Sequence, residues 1–425
     1  MFAHASRKPS VQKLHQPSVR KDSGVIQRAI GFEIEVKNWH TWQPSASMFL
    51  FESYIRAVKS LRIPHKQKDL LLTGEHFTLT ADRPTHKSVP EFVTDAFSDD
   101  PDGFQELTET FRKIQAMLHL MHARAKVQPK RLQPIYWLKD FGKIEDDNAS
   151  FDALPPPDMH AQANVGIRLS KVPELFKLSG TYPSMSPYYE RFTRIKDVFK
   201  PSAWREMESM RNAHDSVLEA VKEFSVTHGP SEDWQASNNF VGLCTFLVHY
   251  LECPLINYDS YIKGGFPVMA RTDFAAMYEL LPPEERSYFQ QSDGQHFIAL
   301  FEKVKFCENN YQPLDLKGLV FEKGARQGEL DPVNMSHLTR EQWLANITQG
   351  VDFLTVKGYP GPDSEKLELD TMGSWGKKFD EVTPKRLQAP ILELRRIQYT
   401  KDIDELLPIA SDIFFTVVGL NQNPE

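Results

Sequence analysis

Apolar and polar residues alternate at several places along the chain, and each such run predicts a β-strand. In residues 30–36, "IGFEIEV", the apolar side chains Phe32, Ile34 and Val36 fall on one side of the strand. The same alternation predicts further strands over residues 76–81, 88–94, 160–165 and 389–397, and one around Tyr136. The turn-forming stretch "DRPTHK" joins the second and third runs, so they are expected to form a hairpin.

Apolar residues at steps of three and four predict helices elsewhere. One long amphipathic helix is expected from Phe104 to Met121, with Met117 and Met121 facing the core. The chain from about 200 to 320 is mostly helical by pattern. It includes a very apolar helix near Leu247, and later a turn at Gly264-Gly265 followed by a short strand and a helix near Asp273. A last apolar helix is expected over residues 403–418.

The first strand carries the most informative chemistry, because Glu33 and Glu35 lie two positions apart and therefore point to the same side. Neighbouring like charges raise each other's pKa, and a divalent cation or an arginine relieves that repulsion. Mg²⁺ binds oxygen ligands and commonly links carboxylates to phosphates. The pair therefore predicts a metal site, with a solvated acidic face on an edge strand as the alternative.

Composition limits the class of protein. The 425 residues are enough for one elaborate domain or two, and 40% apolar with 25% charged residues is typical of a soluble globular protein. A net charge of −7 gives no reason to expect nucleic-acid or membrane partners. The cysteines, Cys244, Cys253 and Cys307, lack zinc-type spacing, and their low, odd number indicates a reducing, cytoplasmic compartment. No apolar stretch is long enough to span a bilayer, and no signal-peptide hydrophobic region is present.

Residues 1–29 form a distinct basic segment, with six Lys or Arg residues against one Asp and little apolar periodicity. Such a segment cannot bury enough surface to order itself, so we expect a disordered tail. It is interpreted either as a plain flexible terminus or as an address segment that contacts a secretion system. Its end, "VIQR", resembles the leaders of bacterial toxins and injection-system cargo, which would place the protein among those secreted by a non-classical route.

Four motifs in the same order resemble the amidoligase family of the glutamine synthetase and glutamate–cysteine ligase superfamily. Residues 31–35, "GFEIE", match its Gly-x-Glu-x-Glu opening, and Asp82 followed by "EFVT" at 91–94 matches its hairpin. "QANVG" at 162–166 stands where the family has His-Val-His-Val-Gly, and "ELR" at 393–395 matches its final strand. The resemblance covers roughly residues 30–170 and 385–420. Residues 175–380 are unmatched and are interpreted as a mostly helical insertion within a domain of residues 30–425.

The resemblance implies an α+β, glutamine-synthetase-like fold, in which a curved antiparallel sheet forms an active-site funnel and helices pack outside. It implies an ATP- and Mg²⁺-dependent ligase that joins a carboxylate to an amine through an acyl phosphate, acting on an amino-acid-like or peptide substrate. The metal ligands would be Glu33, Glu35, Glu91 and Glu393. The alternative for these four carboxylates is a set of salt bridges across the sheet, to Lys37, Arg395 and Arg396. Arg395 would contact phosphate, and it would act with Glu33 and Glu35 in catalysis.

Further residues have both functional and structural interpretations. Gln162 and Asn164 replace the family's histidines and would orient nucleotide or acceptor, with His160 able to compensate from the same face. The alternative is that both are satisfied polar residues on a solvated face. Lys263 and Arg271 flank the Gly-Gly turn and are either phosphate ligands or ordinary surface charges.

Asp82 precedes Pro84 and is interpreted first as a turn-capping residue. His249, in an apolar helix, is interpreted as a core residue. The missing histidines leave open a second hypothesis, in which the chain is a delivered effector or toxin-associated protein with altered or lost catalysis. Binding of Mg·ATP separates the two hypotheses.

Overall fold

A computed structural model gives the structure of the chain. It describes residues 29–43, 63–64, 69–82, 88–127, 133–152, 156–180, 202–231, 233–256, 268–272, 274–318, 339–350 and 389–422. The basic tail, the Gly264-Gly265 turn and Lys263 lie outside these residues, as does the turn between the predicted hairpin strands.

A large antiparallel sheet dominates the described part of the chain, with strand order β12-β13-β11-β1-β6-β5-β4-β9 and β7 paired to β1. Its strands are β1 (Ala29–Val36), β4 (Asp69–Thr73), β5 (Phe77–Asp82), β6 (Val89–Thr94), β7 (Phe97–Ser98), β9 (Lys143–Ile144), β11 (Met159–Gly166), β12 (Val268–Ala270) and β13 (Ile391–Thr400). The strands predicted near residues 30, 76, 88, 160 and 390 are therefore confirmed. With its helices, this sheet confirms the α+β fold class.

Helix packing explains which face of the sheet is apolar. Phe32 on β1 meets Phe111 edge to face, with ring centroids 5.1 Å apart, so helix α1 (Pro101–Val127) covers that face. The carboxy-terminal helix α9 (Leu406–Gln422) packs beside α1, where the rings of Phe104 and Phe414 lie 5.2 Å apart. The apolar side of the alternating strand and the apolar side of the helix therefore pack into one core. The polar side of β1 faces away from α1.

The described residues between 172 and 350 are chiefly helical, and they pack onto the sheet through shared buried side chains. Their helices are α2 (Val172–Gly180), α3 (Ser202–His228), α4 (Asn238–Ile256), α5 (Phe274–Tyr278), α6 (Pro283–Gln290), α7 (Gln295–Phe301) and α8 (Arg340–Thr348). His249 on α4 is fully buried and packs against the rings of Phe176 and Phe246, which confirms it as a core residue. Burial lowers the pKa of His249 to about 3, so it is neutral at pH 7.

A smaller sheet lies beside the first, with strand order β3-β2-β10-β8. Its strands are β2 (His40–Gln43), β3 (Ile63–Pro64), β8 (Gln133–Pro134) and β10 (Ser150–Asp152). The strand predicted around Tyr136 is wrong, because only Gln133–Pro134 pair and residues Ile135–Leu138 form a 3-10 turn. The stretch lacks strict alternation: Ile135 and Leu138 are the buried positions, which is the spacing of a helical turn.

None of the helices within the described ranges is long and apolar enough to cross a membrane.

Candidate metal and nucleotide site

Polar residues of neighbouring strands gather on the face of the sheet opposite α1. In the register of the central strands, Glu33 lies opposite Gln162, and Glu35 lies opposite both His160 and Glu91. Opposite residues in an antiparallel pair project to the same side. The acidic face is defined by five carboxylates that this register and the side-chain contacts bring to one side: Glu33, Glu35, Asp82, Glu91 and Glu393.

Three of these carboxylates converge closely. One oxygen each from Glu35, Asp82 and Glu91 lies within 4.8 Å of the others. Glu91 is only 1% exposed and Glu35 only 8%, so both are largely removed from water. Glu91 Oε2 accepts a hydrogen bond of 3.0 Å from Thr80 Oγ1, which fixes the carboxylate on its strand. We call Glu35, Asp82 and Glu91 the acidic triad.

A lysine partly offsets this negative charge. The ammonium of Lys37 forms an ion pair with Glu35 Oε2, and the backbone N–H of Lys37 donates to the Asp158 carbonyl at 2.8 Å. Because Lys37 directly follows β1, the backbone bond holds its charge beside the triad. One positive charge among three carboxylates leaves the triad with a net negative charge, which a bound cation would offset.

The other two carboxylates contact an arginine instead. Arg271 Nη2 lies 2.8 Å from Glu393 Oε2 and 3.9 Å from Glu33 Oε1. Asn164 Nδ2 donates to the same Glu33 oxygen at 3.1 Å, while its Oδ1 is buried without a hydrogen-bond partner among the described residues. Glu393, Glu33, Asn164 and Arg271 therefore form a second polar group beside the triad.

His160 and Asp158 border the acidic face. His160 Nε2 lies 3.6 Å from Asp158 Oδ1. Burial, helped by the nearby Lys37 charge, lowers the pKa of His160 to about 4. Burial raises the pKa of Asp158 above its ordinary value. His160 is therefore a neutral hydrogen-bonding group at pH 7.

The donor set of the acidic face fits a hard divalent cation. All its ligand atoms are carboxylate or amide oxygens, which Mg²⁺ and Mn²⁺ prefer, whereas zinc sites are built largely from His and Cys. Asn164 Oδ1, which is buried and has no hydrogen-bond partner among the described residues, is a further oxygen of that kind. The residues present therefore fit the metal that the sequence predicted.

The structure brings most of the predicted site residues to one face. It divides the predicted metal ligands between the acidic triad and the group around Arg271. Glu33, Glu35, Glu91, Glu393, Gln162, Asn164 and Arg271 lie at or beside the acidic face. Arg395 lies in β13, but the pairing of β13 with β11 shifts just beyond Leu394, so strict alternation no longer fixes its direction. The Arg395 side chain and Lys263 lie outside the described residues.

The sequence alone did not place two residues of this site, Asp82 and Lys37, beside Glu35. Asp82 was first interpreted as a turn cap, yet it joins the triad. Counting along the hairpin finds it, because Thr80 pairs with Glu91 and Asp82 lies two residues further on the same face. The sequence identifies Lys37 only as an alternative salt-bridge partner of the strand carboxylates, and its ion pair with Glu35 follows from its place at the end of β1.

Comparisons with known proteins give one distant similarity. No protein-family model matches the chain, and neither does any curated protein. Among solved structures, it is similar to a glutamate-to-glutamine mutant of the ACD domain of the Vibrio cholerae VgrG toxin, in complex with ADP and manganese. The match has a TM-score of 0.33 and 14% identity, and covers 87% of this chain and 94% of that one. A similarity at this level transfers neither residues nor activity, so the relation to the amidoligase family stays a prediction from the motifs.

Proposed function

We propose that this protein is an ATP- and Mg²⁺-dependent carboxylate–amine ligase whose cation is held by Glu35, Asp82 and Glu91. The observation that carries the proposal is the convergence of these three carboxylate oxygens within 4.8 Å of one another, with two of the side chains nearly inaccessible. Buried like charges are costly without a cation, so an all-oxygen cluster of this kind favours a divalent metal site. Glu33 and Glu393 would join it only if the Arg271 guanidinium moved away.

The neighbouring residues suit a nucleotide. When bound, Mg²⁺ would offset the charge of the triphosphate. A guanidinium contacts phosphate oxygens through two parallel donors, so Arg271, and Arg395 on β13, are assigned to phosphate. Gln162 and Asn164 would orient the nucleotide or the acceptor by hydrogen bonds, and Lys263 would lie near the phosphates.

The reaction would proceed in two steps. A carboxylate oxygen of the first substrate attacks the γ-phosphorus of ATP, forming an acyl phosphate and releasing ADP. The amine of the second substrate then attacks the acyl carbon, phosphate leaves, and the amine loses a proton as the amide forms. The substrates would be amino-acid-like molecules or peptide side chains.

A non-catalytic effector is the second candidate, and one observation favours it. Lys37 and Arg271 already pair with Glu35 and Glu393, so part of the negative charge is balanced without metal. In that case the fold would serve binding, and the basic tail of residues 1–29 would contact a delivery system.

Calorimetric titration separates the two candidates. The wild type should bind Mn²⁺ alone and, more tightly, a nonhydrolysable ATP analogue with Mg²⁺. The double variant Glu35→Gln/Glu91→Gln should lose both, because neutral amides are weak ligands for these ions. Asp82→Asn should weaken Mn²⁺ binding, since one triad oxygen loses its charge.

A charge-matched control removes two exposed carboxylates away from the site. The variant Glu279→Gln/Glu302→Gln makes the same change in net charge and should bind like wild type. Absence of any heat with wild type at millimolar Mg²⁺ and nucleotide would reject the ligase proposal and favour the effector. Equal Mn²⁺ binding by Glu35→Gln/Glu91→Gln and wild type would show that the acidic triad does not hold the metal.

A further inference from the structure

Arg271 occupies the position that a cation would take between two carboxylates. Its guanidinium contacts Glu393 Oε2 at 2.8 Å and lies 3.9 Å from Glu33 Oε1. Glu393 is only 1% exposed, so little water reaches its charge. A carboxylate buried to this degree needs a positive partner, and Arg271 supplies one.

The backbone around Arg271 is held in place. The N–H groups of Arg271 and Thr272 both donate to the Ile391 carbonyl, at 2.9 and 3.1 Å, and Ile391 N–H donates to Thr272 Oγ1 at 2.9 Å. One residue earlier, Ala270 N–H donates to the buried Tyr250 hydroxyl at 2.6 Å. The main chain is thereby fixed at the edge of the sheet, and a change in the contacts of Arg271 has to come from its side chain.

The atoms around the guanidinium resemble the donors of a metal site. Glu33 and Glu393 provide carboxylate oxygens. Asn164 provides a donor to Glu33 and a buried Oδ1 that has no partner in the described part of the chain. Hard divalent cations take carboxylate and amide oxygens of this kind. The same oxygens cannot fully satisfy a guanidinium and a divalent cation at once, because the two positive charges repel each other at short range.

We propose that Arg271 is an internal cation that competes with a divalent cation for Glu33 and Glu393. The inference rests on the proposed function in one respect, namely that a divalent cation binds the acidic face. Without metal, the guanidinium holds the two carboxylates together. When a cation takes these oxygens, the guanidinium moves off them and becomes available to an anionic ligand such as a phosphate.

Mn²⁺ titration without nucleotide tests the competition. Arg271→Gln should bind Mn²⁺ at least about fivefold more tightly than wild type, within the usual range for coupling between sites. Arg271→Lys keeps the charge and should stay close to wild type. Arg112→Gln removes an exposed arginine on α1, and serves as the control for net charge; its affinity should match wild type.

Melting in metal-free buffer provides a second readout that needs no metal. Arg271→Gln and Glu393→Gln should each lower the melting temperature, because each removes the ion pair and leaves the other member without this partner. The decrease in melting temperature of the double variant should be smaller than the sum of the decreases of the two single variants, because both members of the pair are then removed together. Additive effects would overturn the role of Arg271 as the partner of Glu393.

The remaining outcomes separate this inference from the proposed function. Equal or weaker Mn²⁺ binding by Arg271→Gln, in a protein whose wild type binds Mn²⁺, would overturn the competition and leave the metal site standing. Failure of wild type and of all variants to bind Mn²⁺ would overturn both the competition and the proposed metal site. Tighter binding by Arg271→Gln and wild-type behaviour of Arg112→Gln would establish it.

Discussion

At the scale of single residues, Glu35 illustrates how one side chain serves two opposing requirements. It is 8% exposed and lies beside Asp82 and Glu91, which costs folding energy through like-charge repulsion. Its ion pair with Lys37 offsets part of that cost. A residue that lowers the stability of the folded protein in this way is typical of a functional site, where stability is lost to keep a charge in position.

His160 makes the stability of the protein depend on pH. Burial, with the Lys37 charge, lowers its pKa to about 4, whereas the unfolded chain binds the same proton near its ordinary value. The unfolded state therefore binds more protons as the pH falls from about 6.5 to about 4, and the free energy of unfolding should fall across that window. His160→Gln should reduce this slope. Urea unfolding at about pH 7, 5.5 and 4.5 measures it.

Other titratable side chains also make the free energy of unfolding depend on pH in this range. The pKa values of His122, His214 and His249 are also lowered, so wild type and variant should both lose stability on acidification. Asp158, whose pKa is raised, acts in the opposite direction. An unchanged slope in His160→Gln would show that His160 is solvated in the folded protein.

At the scale of elements, the end of strand β11 depends on the last described helix. Asn421 on α9 is fully buried, donates to the Gly166 carbonyl at 2.8 Å and accepts from the Arg168 N–H at 3.1 Å. These two bonds join the carboxy-terminal helix to the strand that carries Gln162 and Asn164. The helix therefore supports the strand that lies next to β1.

Replacing Asn421 by Ala tests this connection. The buried Gly166 carbonyl and the part-buried Arg168 N–H would both lose their partners. An unpaired buried group costs about 1–3 kcal/mol and a part-buried one less, so we expect a loss of about 2–4 kcal/mol in the free energy of unfolding. Chemical denaturation measures it. Asn148→Ala, at an exposed position, should change stability by less than about 0.5 kcal/mol. An equal effect of the two substitutions would mean that the α9 contact does not support the strand.

At the scale of the whole molecule, the helical segment and the sheet share one core. The buried apolar residues of α4 belong to the same contiguous cluster as those of β1 and α1. Strand β12, which comes from the helical segment, pairs with β13 and positions Arg271 at the acidic face. The site therefore depends on both parts of the chain.

Leu247→Ala tests whether the two parts unfold together. Leu247 is fully buried in α4, and its truncation should cost about 2–5 kcal/mol. If the core is cooperative, hydrogen exchange of the β1 amides should accelerate correspondingly, although β1 is distant in sequence. Leu218→Ala, at an exposed position on α3, should have little effect. Unchanged exchange in β1 with the Leu247 substitution would show that the helical segment unfolds by itself.

The sequence alone determined much of the local structure and the direction of neighbouring side chains. The strands near residues 30, 80, 90, 160 and 390 and the helix α1 follow from periodicity, because alternation and the helical repeat are properties of adjacent residues. The shared face of Glu33 and Glu35 follows for the same reason. Residues Ile135–Leu138 were assigned wrongly because a short apolar run without alternation does not distinguish a strand from a turn of helix.

Only the tertiary structure decided which charged side chains meet. Asp82 joins Glu35 because β6 lies between their strands in a particular register. Arg271 reaches Glu393 because β12 pairs with β13 across a long separation in sequence. Such contacts depend on strand order and register, which a pattern within one segment does not encode, and they set the charge balance at the acidic face because electrostatic energy depends on distance in space and on burial.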